Sequence, residues 1–153
     1  MKEGQLRPIQ GCDEELLLLV GLGKKDRTKD SSTEGHDLAR EAVRTSISAG
    51  VRSLKDLGIE EVLIDGCGDD EAAAEGAHLG LWAYDFLKAK KDPLKKLSLK
   101  PLNETATNEW KCGENKAKGQ NFARTLMETP ANHLTPKIFA KVMKAIYYCM
   151  NIY

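Results

Sequence analysis

Apolar runs and amphipathic segments alternate along the first half of the chain. The five consecutive apolar residues of Leu16–Val20 precede a glycine and predict a strand that is buried on both faces. Residues 39–47 carry apolar side chains at spacings of three and four, which predict a helix that ends at Gly50. Residues 62–64 predict a second strand, and a turn at residues 65–68 follows it.

The second half of the chain predicts three more helices and a third strand. One helix starts near Asp69, where acidic side chains meet the positive end of the helix dipole, and its stripe of apolar and small residues runs to Leu87. Residues 95–102 alternate between polar and apolar and predict a partly exposed edge strand. A helix follows at about residues 107–128, and a last helix starts with Thr135 as its N-cap.

The predicted order is strand, helix, strand, helix, strand, helix, helix. This alternation indicates a layered α/β domain with a mixed, largely parallel sheet, followed by helices. Residues 1–15 carry little pattern. Gly76 and Gly80 repeat a G-x-x-x-G spacing, which on an amphipathic helix we interpret as close packing of that helix on the sheet.

Charge and composition narrow the possible partners. The 153 residues include 23 basic and 23 acidic side chains, so no net field draws the chain to nucleic acid or an anionic membrane. The lysine-rich residues 88–100 contain neither arginine nor an aromatic ring, which favours a solvated surface over nucleic-acid binding. No apolar run reaches the roughly 18 residues of a membrane helix, and no signal-like segment precedes Leu16. We expect a cytoplasmic protein with no nucleic-acid or membrane partner.

None of the candidate chemical motifs has the residue spacing that its chemistry requires. The segment GLGKK at residues 21–25 follows a strand but lacks the P-loop pattern G-x-x-x-x-G-K-[ST]. The acidic residues 65–71 do not match the EF-hand spacing and are better explained as a helix start. No cysteine pair has C-x-x-C spacing, so we expect free, buried or half-buried thiols, and no histidine has a helical partner four residues away. These residues are Cys12, Cys67, Cys112, Cys149, His36, His78 and His133.

We therefore predict no catalytic, metal-binding or cofactor-binding residue in this chain. No G-x-S-x-G elbow occurs. A nucleophilic triad whose members converge only in space stays an open alternative.

One stretch carries a specific resemblance. Residues 119–136 read GQNFARTLMETPANHLTP and resemble the segment that joins the two domains of the leucine aminopeptidase (cytosol aminopeptidase, M17) family, N-x-A-R-x-L-x-x-x-P-A-N-x-x-T-P. Two further stretches agree in the same order, at residues 20–25 and 67–85. The resemblance covers roughly residues 16–142.

The resemblance implies a specific chemistry, which the family carries out in its C-terminal domain. Members of this family are two-domain metalloexopeptidases that remove N-terminal residues, preferably leucine, from peptides, and they assemble as homohexamers. Their N-terminal domain is α/β and similar to macro domains. Their C-terminal domain holds two divalent metals, commonly zinc, manganese or magnesium, in motifs such as D-S-G-G and N-T-D-A-E-G-R. Neither motif occurs in this sequence, so no site residue and no cofactor is carried over.

The resemblance also implies a division of the chain. We expect residues 1–106 to form a partial N-terminal α/β domain, and residues 107–153 to form linker helices leading toward an absent catalytic domain. Residues 1–15 and 146–153 depart from the family pattern, which suggests a truncated form without peptidase activity of its own. The alternative is a binding or interaction module, which takes a nucleotide-like ligand or docks onto full-length aminopeptidase subunits.

Overall fold

The computed structural model describes residues 1–10, 16–24, 37–88 and 97–149. The strands within these ranges are β1 (Leu6–Gln10), β2 (Leu16–Val20), β3 (Glu61–Ile64) and β4 (Ser98–Pro101). The helices of the described residues are α1 (Leu38–Asp56), α2 (Asp70–Leu81), α3 (Thr107–Glu128, after a 3-10 turn at Glu104–Ala106) and α4 (Pro136–Cys149). Their order makes the chain a mixed α/β fold, as predicted.

The described strands form two pairs. β1 and β2 are antiparallel, with Leu6 opposite Val20, and β1 is a strand that the pattern of residues 1–15 did not predict. β3 and β4 are parallel, with Glu61 opposite Ser98. The predicted single, largely parallel sheet is therefore not confirmed among the described residues.

The prediction that β2 is buried on both faces is wrong. Leu18 and Val20 point toward α1, where both side chains lie against Gly50. Leu17 and Leu19, on the other face, are 55% and 41% exposed. Helix α1 therefore covers one face of strand β2, and the apolar side chains on the other face of this strand stay exposed.

Helix α1 ends later than predicted. Gly50 lies inside α1, where its missing side chain admits Val20 of β2. The end is set by Gly58, whose φ of 74° is the left-handed conformation that glycine adopts most readily, and whose amide donates to the Lys55 carbonyl. Asp37 caps the other end by accepting from the amides of Ala39 and Arg40.

Helix α2 is the centre of the structure, because it packs between α1 and α3. It starts where predicted, with Asp69 as N-cap accepting from the Ala72 amide at 2.8 Å, but it ends at Leu81 rather than near Leu87. Its alanines are fully buried and meet apolar side chains from both neighbours and from β3. The core consists of Val43, Val51, Ile64, Ala72, Ala73, Ala74, Ala77 and Trp110.

Glycines set the close spacing of the three helices. A Cβ on Gly76 would lie 2.8 Å from the Cα of Arg44, and one on Gly80 would lie 2.7 Å from Ser48 Oγ. A Cβ on Gly113 of α3 would collide with the backbone of Glu71. The predicted close approach at Gly76 and Gly80 is therefore real, but its partner is helix α1 and not a sheet.

Candidate functional site

The C-terminal end of α2 collects polar side chains from both neighbouring helices. The last carbonyls of a helix have no partner within the helix, so side-chain donors or water must satisfy them. Asn121 Nδ2 donates to the His78 carbonyl at 3.1 Å, and Arg124 Nη1 donates to the Leu79 carbonyl at 3.4 Å. From α1, Arg52 Nε donates to the Gly80 carbonyl at 3.1 Å. We call these three donors, Arg52, Asn121 and Arg124, the α2 clamp.

The α2 clamp is favourable in charge as well as in hydrogen bonding. Two guanidinium groups lie at the negative end of the α2 dipole. Arg124 also donates to the side-chain oxygen of Asn121 and lies 5.7 Å from the centre of the Trp82 ring. Its position is therefore fixed from three sides.

The segment after α2 is tied to the end of α3 by two further contacts. The indole of Trp82 donates to Thr125 Oγ1 at 3.4 Å, and the Tyr84 hydroxyl lies 3.3 Å from Thr129 Oγ1. Thr129 Oγ1 in turn donates to the Thr125 carbonyl at 2.6 Å. The C-terminal third of α3 is thus held against α2 and the residues that follow it.

These contacts involve the stretch that carries the family resemblance. Asn121, Arg124, Thr125 and Thr129 all belong to residues 119–136, and all four contact α2 or the segment after it. The three-residue spacing of Asn121 and Arg124 places both on one helix face. The sequence could show that shared face, but it could not show that the face meets the carbonyls of α2.

A row of five charged residues and one glutamine crosses the three helices farther toward the start of α2. Glu71 and Glu75 lie one turn apart on α2. Arg40 Nη2 lies 2.7 Å from Glu71, and Arg44 Nη2 lies 3.1 Å from Glu75, both from α1. From α3, Lys116 contacts Glu71 and Gln120 contacts Glu75. We call these six residues the interhelical charge row, of which Glu75 is almost completely buried.

Within the interhelical charge row, the partners of Glu71 shift the pKa of its carboxyl group. The Lys116 ammonium is the largest influence on Glu71, and together with the Arg40 guanidinium it holds the pKa of this carboxyl below its usual value. Desolvation opposes both partners without cancelling them. Each glutamate in the row has a partner on both neighbouring helices, so the row fixes how α1, α2 and α3 align along their axes.

The structure also shows which contacts the glycine-rich segment at residue 21 and the acidic segment at residues 65–71 make. The Gly21 amide donates to the Gln5 carbonyl, and the Gly21 carbonyl accepts from Gly4 and Ser46, so these groups are used internally rather than offered to a phosphate. Asp65 and Asp69 form the turn and the cap that lead into α2. The acidic run is a helix start, as predicted.

Among the described residues, the cysteines and histidines belong to no group of three or more potential metal ligands. Cys67 and Cys112 are free and exposed, so the expected free thiols are confirmed for these two and their expected burial is wrong. Desolvation of the thiol, followed by the nearby carboxylates of Asp65 and Asp70, raises the pKa of Cys67, which opposes a reactive thiolate. Burial lowers the pKa of His78. Cys12, His36 and the Cys149 side chain lie outside the described residues.

No metal site is present in the described parts of the chain. Among residues 1–10, 16–24, 37–88 and 97–149, no group of three or more histidine, cysteine, aspartate or glutamate side chains could hold an ion. None of the helices in these ranges combines the length and the apolar character that crossing a membrane requires. The two polar sites described above, the α2 clamp and the interhelical charge row, join helices to one another.

Residues 4–91 match the family model for the N-terminal domain of the cytosol aminopeptidase family. The chain belongs to this family. It is 43% identical over 146 residues to the cytosol aminopeptidase of Sus scrofa, a match that covers 94% of this chain and 28% of the relative. For the cytosol aminopeptidase of Homo sapiens the identity is 42% with the same coverage. For that of Dictyostelium discoideum it is 36% over 133 residues, covering 80% of this chain and 24% of the relative.

Solved structures agree with the fold. The bottromycin maturation enzyme BotP superimposes with a TM-score of 0.73 at 24% identity, covering 98% of this chain and 32% of that one. The same enzyme in complex with Mn gives a TM-score of 0.74 at 23% identity, with 97% and 31% coverage. At these identities the likeness supports the fold alone. This chain thus spans less than a third of the length of the curated relatives described above.

Proposed function

We propose that this chain is the non-catalytic N-terminal portion of a leucyl aminopeptidase, a metalloexopeptidase that removes N-terminal residues from peptides. The observation that carries the proposal is the family match at residues 4–91, combined with coverage of only 28% of the Sus scrofa relative. Because the matched curated relatives are named aminopeptidases, the matches favour this proposal over an independent ligand-binding module.

The proposal assigns the chemistry to the portion of the enzyme beyond this chain. The family resemblance implies two divalent metals there, zinc, manganese or magnesium, which would activate a water for attack on the peptide bond. The described residues offer no donor set for such ions, so no catalytic step is assigned to them. Their part in the function is to form a rigid body through the α2 clamp and the interhelical charge row.

The same proposal includes the domain boundaries, the cellular location and the oligomeric state. We assign residues 1–106 to a partial N-terminal domain with macro-domain-like layering around a largely parallel sheet, and residues 107–153 to linker helices. We further propose a cytoplasmic location and, for the complete enzyme, a homohexamer with which this truncated form associates. These assignments rest on the family resemblance and on the names of the relatives.

Peptidase activity of the isolated chain tests the proposal. The purified chain is incubated with leucine-p-nitroanilide and manganese, beside the Sus scrofa cytosol aminopeptidase as a positive control. The expected rate for the chain equals that of buffer. Hydrolysis well above buffer that co-purifies with the chain would overturn the assignment of a non-catalytic portion.

A further inference from the structure

Two arginines of the α2 clamp meet at the C-terminal end of α2 without an acidic partner. Arg52 reaches the Gly80 carbonyl from α1, and Arg124 reaches the preceding carbonyl from α3. Successive carbonyls of an α-helix lie about 1.5 Å apart along its axis, so both guanidinium groups approach the same level of α2. Among the described residues, neither arginine forms an ion pair with a carboxylate. Positive charge at this end of α2 therefore exceeds what the described side chains neutralise.

The other arginines of these helices do have acidic partners. Arg40 Nη2 lies 2.7 Å from Glu71, and Arg44 Nη2 lies 3.1 Å from Glu75. These two arginines and the pair in the α2 clamp are all the arginines that α1, α2 and α3 contain. The missing acidic partner is therefore specific to the C-terminal end of α2.

Acidic residues do follow both arginines at a spacing that allows pairing. Asp56 comes four residues after Arg52, and Glu128 comes four residues after Arg124, a spacing at which opposite charges meet on a helix. Neither pair forms an ion pair within the part of the chain that the structure describes. Both guanidinium groups are instead directed to the carbonyls of α2, which leaves their charge available to a ligand.

The hydrogen bonds to α2 occupy only part of each guanidinium group. Arg52, which is exposed, donates through Nε, and its two Nη groups have no acceptor among the described residues. Arg124 donates to α2 and to Asn121 through Nη1, and its Nε and Nη2 likewise have no described acceptor. None of these nitrogens is among the buried unpartnered atoms of the described residues. The outer edges of both groups are therefore accessible to an acceptor from solution.

The surroundings of Arg124 also fix the direction of its free donors. Its guanidinium carbon lies 5.7 Å from the centre of the half-buried Trp82 ring, and the Trp82 indole is itself held by Thr125. A planar guanidinium that packs on an aromatic ring presents its N–H groups as a rigid fork. Because less conformational freedom is lost on binding, such a fork is better suited to an oxyanion than a mobile ammonium group is.

We propose that Arg52 and Arg124 form a binding site for a small oxyanion, a phosphate or carboxylate group that accepts hydrogen bonds from both guanidinium groups. The N–H fork of an arginine matches the spacing of two oxygens in either group. A phosphate group carries a charge of about −1.5 to −2 at neutral pH and has more acceptor oxygens than a carboxylate, so we expect it to bind more tightly. The inference goes beyond the proposed peptidase assignment and does not depend on it.

Nuclear magnetic resonance of the tryptophan indole N–H groups measures binding to the whole chain. Sodium phosphate and sodium acetate are titrated separately at constant pH, with sodium chloride holding the ionic strength constant. The chain has two tryptophans, and Trp110, which is 6% exposed, serves as the reference in the core. We expect the Trp82 signal to shift saturably with phosphate while the Trp110 signal stays in place. Tighter binding of acetate would support the site with a carboxylate as its ligand.

Two substitutions that remove the same charge locate the site. Arg52→Gln deletes the outer Nη groups but keeps an N–H donor at the position of Nε for the Gly80 carbonyl, and it should weaken phosphate binding at least about tenfold. Lys111→Gln lies thirteen residues before Arg124 in α3, about 20 Å along the helix axis, so salt screens it from the site and the affinity should not change. Arg52→Lys keeps the charge without the fork, and its affinity should lie between those of Arg52→Gln and the unchanged chain.

The inference is overturned if neither anion shifts the Trp82 signal saturably, or if chloride at the same ionic strength produces the same shift. Equal affinity for phosphate in Arg52→Gln and Lys111→Gln also overturns it. A changed Trp110 signal would show that Arg52→Gln disturbs the fold, and Arg52→Lys then decides. An affinity of Arg52→Lys equal to that of the unchanged chain contradicts the site, and a reduced affinity supports it.

Discussion

Substituting alanine for glycine at two positions of α3 should have opposite effects on stability. Gly113 lies against α2, and a Cβ there would sit 2.9 Å from Ala74 Cβ and closer still to the Glu71 carbonyl oxygen. Real Cβ atoms essentially never approach another heavy atom within 3.0 Å. Gly119 lies six residues later in the same helix, and a Cβ there would meet nothing within 4 Å.

The magnitudes follow from packing and from helix propensity. Alanine is favoured over glycine inside a helix by about 0.8–1.0 kcal/mol, and Gly119→Ala should gain most of that. Gly113→Ala gains the same but must push α3 away from backbone atoms of α2, and overpacking of this kind costs about 1–3 kcal/mol or more. Because α2 and α3 share one of the largest contacts in the structure, we expect a net loss of about 1–2 kcal/mol.

Urea unfolding followed by circular dichroism measures both changes. With a slope of about 1–3 kcal/mol per molar urea, the two midpoints should move in opposite directions and differ by about 1 M. The slope itself should stay constant, which checks that unfolding remains two-state. Stabilisation by Gly113→Ala equal to that by Gly119→Ala would refute the close packing of α3 on α2.

Three further predictions concern the polar sites. Arg124→Ala removes a donor of the α2 clamp and should cost about 1–2 kcal/mol in urea unfolding, while the same change at exposed Asn115 should cost nearly nothing; equal costs would contradict the clamp. The lowered pKa of Glu71 means that the unfolded state binds its proton first, so stability should fall as the pH drops below 4.5, and Glu71→Gln should flatten that region of the profile. Because the pKa of His78 is also lowered by folding, its contribution to stability should be lost as the pH falls below 6.5. A stability profile that is unchanged in His78→Gln would disprove this contribution.

Local signals were sufficient for several elements. Helix α3 was predicted at residues 107–128, where the structure has it, because Thr129 precedes a proline and cannot continue a helix easily. Asp69 was predicted at the start of α2, and its side chain caps that helix. Residues 62–64 fall within β3. In each case the deciding interaction lies within a few residues of the element.

Features that depend on distant contacts were missed. Strand β1 exists because Ile9 and its neighbours pair with β2, and nothing within residues 1–15 indicates that pairing. Gly50 looked like a helix end because glycine often ends helices, whereas its actual use is to admit Val20. Gly76 and Gly80 predicted close packing, but only the structure shows that α1 is their partner.

The α2 clamp also depends on contacts between residues that are far apart in the sequence. Asn121 and Arg124 lay in the stretch that identified the family, yet their targets, the carbonyls of His78 and Leu79, are more than forty residues earlier in the chain. A carbonyl carries no side-chain signature, so a sequence pattern cannot point to it. The family could be read from these residues before their physical role could.

The most direct test of the central claim is a paired peptidase assay at equal molar concentration. Leucine-p-nitroanilide and manganese are supplied to the chain alone and to its fusion with the remaining portion of the Sus scrofa enzyme. If this chain is a non-catalytic N-terminal portion, the chain alone gives the rate of buffer and the fusion hydrolyses the substrate. Hydrolysis by the chain alone, or a folded fusion that does not hydrolyse the substrate, would contradict the claim.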